Sequence, residues 1–510
     1  MPRPPLLIVA LLTCASVLFV AHAASYWDWT EDDAFISLRY ARNLVEGQGL
    51  VFNEGEKVEG YSNFAWVLLG AAAMKLGFDP LVAMKSVGVL GGLLAVVCSW
   101  FLALRMRPEA WWGALLAPFF LAIAPVMPRH AVTGLETAAY AGMVTLAVLL
   151  AAGPRGTVGR VVLLGALLLV SLLRPEGVAV AILMLVWRWP AVQRRTGVTG
   201  SVGAGGRIDL AIFSLLFAIY YFWRMAYFGA AFTNTFYFKM TGGAAAWVDG
   251  LHYSLDFLRE TGGAALVGLV AAVLLVEKRP RTYWLILLLC AGQGALVMLA
   301  GGDWMHHYRF YAPVLPLLAA AAAVGASAMA GLLEQGTRPR LWSRLVLGLV
   351  LAAAVVNIYK TEQAVARLVM PAVKTESYLA QSYERIGRWL EKNTPSEAIV
   401  AVSDVGAVGY FSKRRIVDMF GLVDAHIARQ PGRLHFKSDP AYVLLRRPDY
   451  VLLVESAPKL GADRSEPTFL RIPDGTLYAE PRFRESYFPV REFTMGFVGE
   501  RAVLYRVSGP

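Results

Sequence analysis

The feature that most constrains this chain is its series of apolar runs, most of them about 17–25 residues long and separated by short polar turns. A run of that length crosses the hydrocarbon core of a bilayer as an α-helix. The runs fall at about 5–24, 81–104, 110–127, 134–152, 159–173, 177–189, 209–228, 263–277, 282–300, 310–332 and 342–359. The pair around Pro175 is short and reads as a broken hairpin. The stretch Asn63–Gly77 is too short to span and reads as a helix lying at the outer interface, with Trp66 at a suitable depth. The sequence therefore predicts an α-helical polytopic membrane domain over 1–359, with about eleven spans and a first extracytoplasmic loop at 25–80.

Composition agrees. Hydrophobic residues make up 57% of the chain and charged residues 17%, against roughly 45–50% and 25% for soluble domains. A net charge of +11 would suggest nucleic acid in a soluble protein. Here it is explained by cytoplasmic loops rich in Lys and Arg, and no nucleic-acid partner is expected. Basic residues cluster at Arg105–Arg107, Arg155–Arg160, Arg188–Arg207, Lys278–Arg281 and Arg338–Arg344, in alternate loops. The positive-inside rule makes these loops cytoplasmic. It puts the N-terminus inside and everything after about Tyr359 outside. The N-terminal run reads as an uncleaved first helix, being long for the apolar region of a signal peptide. Cys14, Cys98 and Cys290 lie in apolar stretches and read as packing residues. The Gly-rich stretch 197–206 follows no strand and reads as a linker, not a phosphate cradle.

From about Lys360 the composition changes. An amphipathic helical pattern (375–392) precedes short β runs at 397–402, 415–419 and 449–454. Residues 360–510 are expected to form an extracytoplasmic soluble α/β domain.

Polar residues gather in the turns that this topology places outside. Glu31, Asp32 and Asp33 directly precede a helical pattern, where the helix dipole favours carboxylates. Asp32 as a simple N-cap accounts for one acid, not three in a row. Other turns carry Arg129, His130, Glu136; Arg174, Glu176; Asn234, Tyr237, Lys239; and Asp303, His306, His307, Arg309. Ionisable groups beside an apolar span are costly and by default face a cavity or a partner. Arg129, Arg174, Lys239 and Arg309 also break the positive-inside pattern, which points to an anionic ligand such as phosphate. The competing reading is a set of structural ion pairs, Arg174–Glu176 and Asp303–Arg309. No cofactor is demanded. A divalent metal held by Asp32, Asp33 and Glu136 with one histidine is admitted, although adjacent His306 and His307 diverge on a regular element.

At these residues the chain resembles a known family. The stretches DDAFISLRYARNLVEGQGLVFNEGEKVEGYSN (32–63), TGLET (133–137), RPEG (174–177), NTFYFK (234–239), GGDWMHHYRF (301–310) and SDVGAVGYFSKRRIVDMFGLVD (403–424) are similar to the GT-C superfamily of polyprenyl-phosphate-sugar-dependent glycosyltransferases, nearest to its bacterial terminal arabinofuranosyltransferase branch. One departure is Thr233, where relatives often have Pro before the Asn. The resemblance implies a multi-pass enzyme of the bacterial inner membrane. Its donor would be a polyprenyl-phosphate-linked sugar, and its acceptor a glycan, lipid or protein of the envelope. Asp32 or Asp33 would be the catalytic base. Arg309, Lys239, Arg174, His306 and His307 would meet the phosphate, and Glu136, Asp303, Tyr61 and Asn63 would shape the pocket. Asp404 and Asp418 in the tail read as structural. A transporter or flippase for a lipid-linked sugar is the alternative, but it should carry its charges mid-membrane and show internal symmetry. Neither is evident in the sequence.

Overall fold

The structure is a computed structural model describing residues 5–153, 156–188, 205–239, 243–260, 263–275, 280–303, 305, 308–335, a few positions between 356 and 370, 378–432, 436–456, 467–469, 471–495 and 500–508. The chain packs as two compact units that do not follow the expected division at 359/360. One comprises Met1–Trp27, Met84–Phe222 and Ala246–Val365; the other comprises Asp28–Ala83, Trp223–Ala245 and Ala366–Pro510. The first loop thus packs with the tail.

The first unit is helical. Among the described residues, four helices are long and apolar enough to cross a membrane: Leu6–Ala24, Pro80–Met106, Gly206–Phe228 and Arg281–Ala300. Trp111–Ile123 and Val126–Val132 add one bent pair, turned by 50°. Pro125 sits at the break and withholds a helical N–H there. The expected runs near 134–152, 159–173, 177–189 and 310–332 appear as shorter apolar helices, Thr137–Ala151, Thr157–Leu173, Gly177–Trp187 and Leu315–Gly331. The run at 342–359 lies almost wholly outside the described residues, as does 197–204 of the linker 197–206, whose last two residues begin helix Gly205–Phe228. An amphipathic helix, Gly243–Glu260, was not expected from the apolar pattern.

Small residues set how closely these helices pack. A Cβ on Gly88 would lie 2.2 Å from the Ala131 carbonyl oxygen, and one on Gly92 would lie 2.2 Å from the Phe19 ring. Gly88 and Gly92 share one helix face four residues apart. Without side chains there, backbones approach as they do in small-xxx-small membrane packing.

The second unit carries a six-stranded sheet. Its strands are β1 (Ile399–Val402), β2 (Arg415–Asp418), β3 (Tyr450–Ser456), β4 (Thr468–Phe469), β5 (Tyr487–Thr494) and β6 (Arg501–Val507), in the order β2-β1-β3-β6-β5, with β4 on the end of β3. β2, β1 and β3 run parallel; β6 and β5 are antiparallel additions. The parallel strands are buried almost throughout, as their unbroken Val/Ile/Leu runs require. β5 is an exposed edge, blunted by Pro489 and a bulge beside it. The helix Leu379–Asn393 fulfils the amphipathic pattern at the start of the tail.

The first loop is fastened to this sheet domain by side chains. Helix Asp33–Val45 buries Arg39, whose guanidinium donates to the carbonyls of Phe52 (2.7 Å), Gly409 (2.6 Å) and Arg414 (2.7 Å). Asn53 accepts from the Ile416 N–H (3.0 Å) and donates to the Ile416 carbonyl (2.8 Å), so it pairs with edge strand β2 as another strand would. Glu56 binds both Arg415 and Arg446.

Candidate active site

Asp32 and Asp33 stand where the chain turns into helix Asp33–Val45. The alternative that Asp32 simply caps this helix is not met, since its side chain makes no bond to its own helix. Its two carboxylate oxygens instead accept the backbone N–H groups of Gly406 (2.9 Å) and Ala407 (2.8 Å), 374 and 375 residues further on. These are the first N–H groups of helix Gly406–Ser412, whose own N-cap residue is Val405, a side chain with no acceptor. Asp32 is the missing cap, supplied from another part of the chain. Gly406 has to be glycine here: a Cβ would lie 2.0 Å from the Asp32 carbonyl oxygen and 2.5 Å from its Oδ2.

Burial pushes the Asp32 carboxyl up to about 8, helped by the nearby charges of Asp404 and Asp33 and opposed by the Ala407 and Gly406 N–H groups. Asp404 is itself held by the Tyr383 hydroxyl and by Arg471 Nε at 2.5 Å. Asp33 is half-buried at the first turn of the helix. The pair thus has two unlike environments. Asp32 is the carboxyl that burial keeps protonated, and Asp33 is the less buried of the two.

The tail holds two more buried carboxyls of this kind. Asp418 accepts N–H groups from Phe420 (2.8 Å), Gly421 (2.9 Å) and Val423 (2.6 Å), and burial raises it to about 7. Asp474, bonded to Ser403 and to the Val454 N–H, is raised to about 6 by burial. Each keeps a proton in the folded chain over a range where the unfolded chain has lost it. Stability therefore falls as pH rises from about 4 toward 8, by about 1.4 kcal/mol per pH unit for each carboxyl at most. Thermal unfolding of the purified chain across that range is expected to show a falling Tm. Asp404→Asn, which removes a charge that raises Asp32, is expected to bring the upper end of the falling range to lower pH. A Tm that rises from pH 5 to 8 would contradict this assignment.

The other residues singled out from the sequence divide between the units. With the acidic pair in the second unit are Tyr61, Asn63 and Lys239. Tyr61 is buried and packs edge-on against Tyr40 at 4.9 Å. Asn63 Oδ1 accepts from Ser37 Oγ at 3.1 Å. Lys239 ends helix Asn234–Lys239 and is half-buried. In the first unit Arg174 is bound to Glu136 at 2.8 Å and to Glu176, and Arg309 Nε to Asp303 at 2.7 Å. Both ion pairs weighed from the sequence form, and Glu136 adds a further partner for Arg174. His306 and His307 lie outside the described residues. Among the described residues no three His, Cys, Asp or Glu side chains are grouped to hold a metal ion. Arg39, Asn53 and Glu56 were passed over in the sequence. Their signal was present in the quoted stretch 32–63, as polar side chains between apolar ones in a helix and turn that the tail covers.

Comparison with known proteins gives this geometry a setting. Residues 373–506 match a family model described only as a domain of unknown function, DUF8728. ArnT from Cupriavidus metallidurans, solved with undecaprenyl phosphate, superposes with a TM-score of 0.60 at 13% identity, over 100% of both chains. Its apo form gives 0.55 at 14% identity, covering 99% of each chain. The apo oligosaccharyltransferase of Archaeoglobus fulgidus gives 0.53 at 12% identity, over 95% of this chain and 80% of that one. The chain thus shares the fold of these membrane proteins. Its sequence is similar to the terminal β-(1→2)-arabinofuranosyltransferase of Mycobacterium tuberculosis, at 29% identity over 338 residues, 57% of this chain and 52% of that protein. The match thus spans about half the length of that relative.

Proposed function

We propose that the chain moves a sugar from a polyprenyl-phosphate donor to an envelope acceptor at the outer face of the bacterial inner membrane. The chain would be multi-pass, with about eleven spans, its N-terminus cytoplasmic and its tail outside. The observation that carries the reaction is the divided acidic pair, with Asp32 locked on the tail and Asp33 half-buried beside it. The GT-C fold and the arabinofuranosyltransferase-like sequence support the donor class.

In this reading an acceptor hydroxyl attacks the anomeric carbon and its proton passes to Asp33. The bond from that carbon to the phosphate oxygen breaks, and the lipid phosphate leaves with the electron pair. Asp33 is the general base and Asp32 positions it. Lys239 is proposed as a phosphate ligand. Arg174 and Arg309 are proposed for the same anion on charge alone, each being already held by carboxylates. Tyr61 and Asn63 keep the loop that carries the pair in shape, and the acceptor is a glycan, lipid or protein.

The test is incubation of membranes containing the chain with a panel of polyprenyl-phosphate sugars, with and without EDTA, followed by mass analysis of the products. Transfer from at least one donor, strongly reduced by Asp33→Asn, is expected. No transfer from any donor would overturn the proposal.

A further inference from the structure

A half-open cleft of about 90 Å³ lies within the second unit, away from the acidic pair's own contacts. Three segments line it: Lys57–Glu59 of the first loop, Phe228–Asn234 with Tyr237, and Ala425 with Arg429 of the tail. Its walls are tied to one another. The Asn234 N–H donates to the Glu59 carbonyl at 2.9 Å, and the Asn234 side-chain amide donates to the carbonyls of Gly421 (2.8 Å) and Leu422 (3.0 Å). The Glu59 carboxylate is neutralised by Arg224, whose Nε lies 2.9 Å away. The cleft is therefore preformed, and small residues (Gly229, Ala230, Ala425) keep it open.

The charge left on its lining is positive. Lys57 sits over the Tyr227 ring at 4.9 Å, and Arg429 over the Tyr237 ring at 4.4 Å. Both cations are exposed, and neither is ion-paired to a carboxylate among the described residues. Phe232, 49% exposed, and Tyr237 give the wall aromatic faces. Aromatic faces beside a few convergent polar groups suit a ring-shaped ligand with polar edges. Unpaired cations at its rim suit a carboxylate or phosphate.

We propose that this cleft binds a saccharide bearing a carboxylate or phosphate, as the acceptor subsite of the enzyme. The name acceptor rests on the transferase reading; the binding does not. Lys57 and Arg429 hold the anion, Phe232 and Tyr237 the ring, and the site selects charged acceptors over neutral ones.

The test uses the full chain purified in neutral detergent, with glucose 1-phosphate, glucuronate, glucose and inorganic phosphate as probes in a direct binding measurement. The two sugar anions are expected to bind at least about tenfold more tightly than glucose. Lys57→Gln with Arg429→Gln should remove that preference. Ala230→Trp, which fills the cleft, should abolish binding while the Tm is kept. In the transfer assay the double variant should raise KM for a charged acceptor and leave kcat and the donor KM alone. Equal binding of glucose, or binding indifferent to both sets of variants, would overturn the proposal. So would inorganic phosphate binding as tightly as the sugar anions, which would mean an anion site without a sugar. A parallel arm compares nanodiscs with and without phosphatidylglycerol. If the double variant weakens only the response to that lipid, the cleft is a headgroup site and the proposal falls. Sugar-anion binding that persists in a chain without any transferase activity would sink the transferase reading and leave this one standing.

Discussion

Asp33→Asn is expected to lower sugar transfer by roughly 10²–10⁴, the range for losing a general base, in a protein that still folds. Asp32→Asn is expected to behave differently. Its amide offers one acceptor where the N–H groups of Gly406 and Ala407 need two, and turns its own N–H₂ toward one of those donors. That variant should lose activity less steeply and lose stability as well, by about 1–3 kcal/mol for the buried N–H left unsatisfied. It should also flatten the fall of Tm between pH 7 and 8, because the group responsible is gone. The two variants together separate a base from a residue that positions one. Full transfer by the folded Asp33→Asn protein would move the base elsewhere, and an Asp32→Asn protein with unchanged Tm would remove its positioning role.

Gly406→Ala is expected to cost more than a methyl group ordinarily does. The added carbon would meet the Asp32 backbone at 2.0 Å, and a backbone carbonyl at the start of a helix has little room to retreat. Overpacking of this kind costs about 1–3 kcal/mol. Here the strain falls on the bonds that hold the acidic pair. The variant should therefore lose transfer with every catalytic side chain intact, and its tail should become easier to cleave by protease. Gly165→Ala is the control: a Cβ there meets nothing within 4 Å, and inside helix Thr157–Leu173 alanine is if anything favoured. If Gly406→Ala were as active and as protease-resistant as that control, the tail would not organise the pair.

Much of the fold can be read from the sequence, because it follows from local pattern. Apolar runs mark the helices, and AIVAV, RIVDM and DYVLLV mark the three parallel strands of the sheet. Where the pattern is weak the reading fails. Helix Gly243–Glu260 mixes Asp, His and Arg with its apolar face, so no run stands out, and β5 is too exposed and polar to be noticed. The acidic pair was legible as an excess of acids at a helix start. What Asp32 does there was not, since its partners are backbone N–H groups 374 and 375 residues away, and backbone groups leave no mark in a sequence. The same limit applies to Arg39, whose partners are mostly carbonyls. Arg174 shows an intermediate case. Glu176 stands two residues away and was weighed as its partner, whereas Glu136 is 38 residues distant.

The borrowed cap also orders events in time. A ribosome makes residue 32 long before residue 406, so the first loop waits through the synthesis of nearly all the helices for the two N–H groups that complete it. Until then Asp32 has no partner of its own to hold it, and the pair is unformed. On the proposed function, such nascent chains would be inert toward lipid-linked sugars. Activity would begin only when the end of the chain folds back on its beginning.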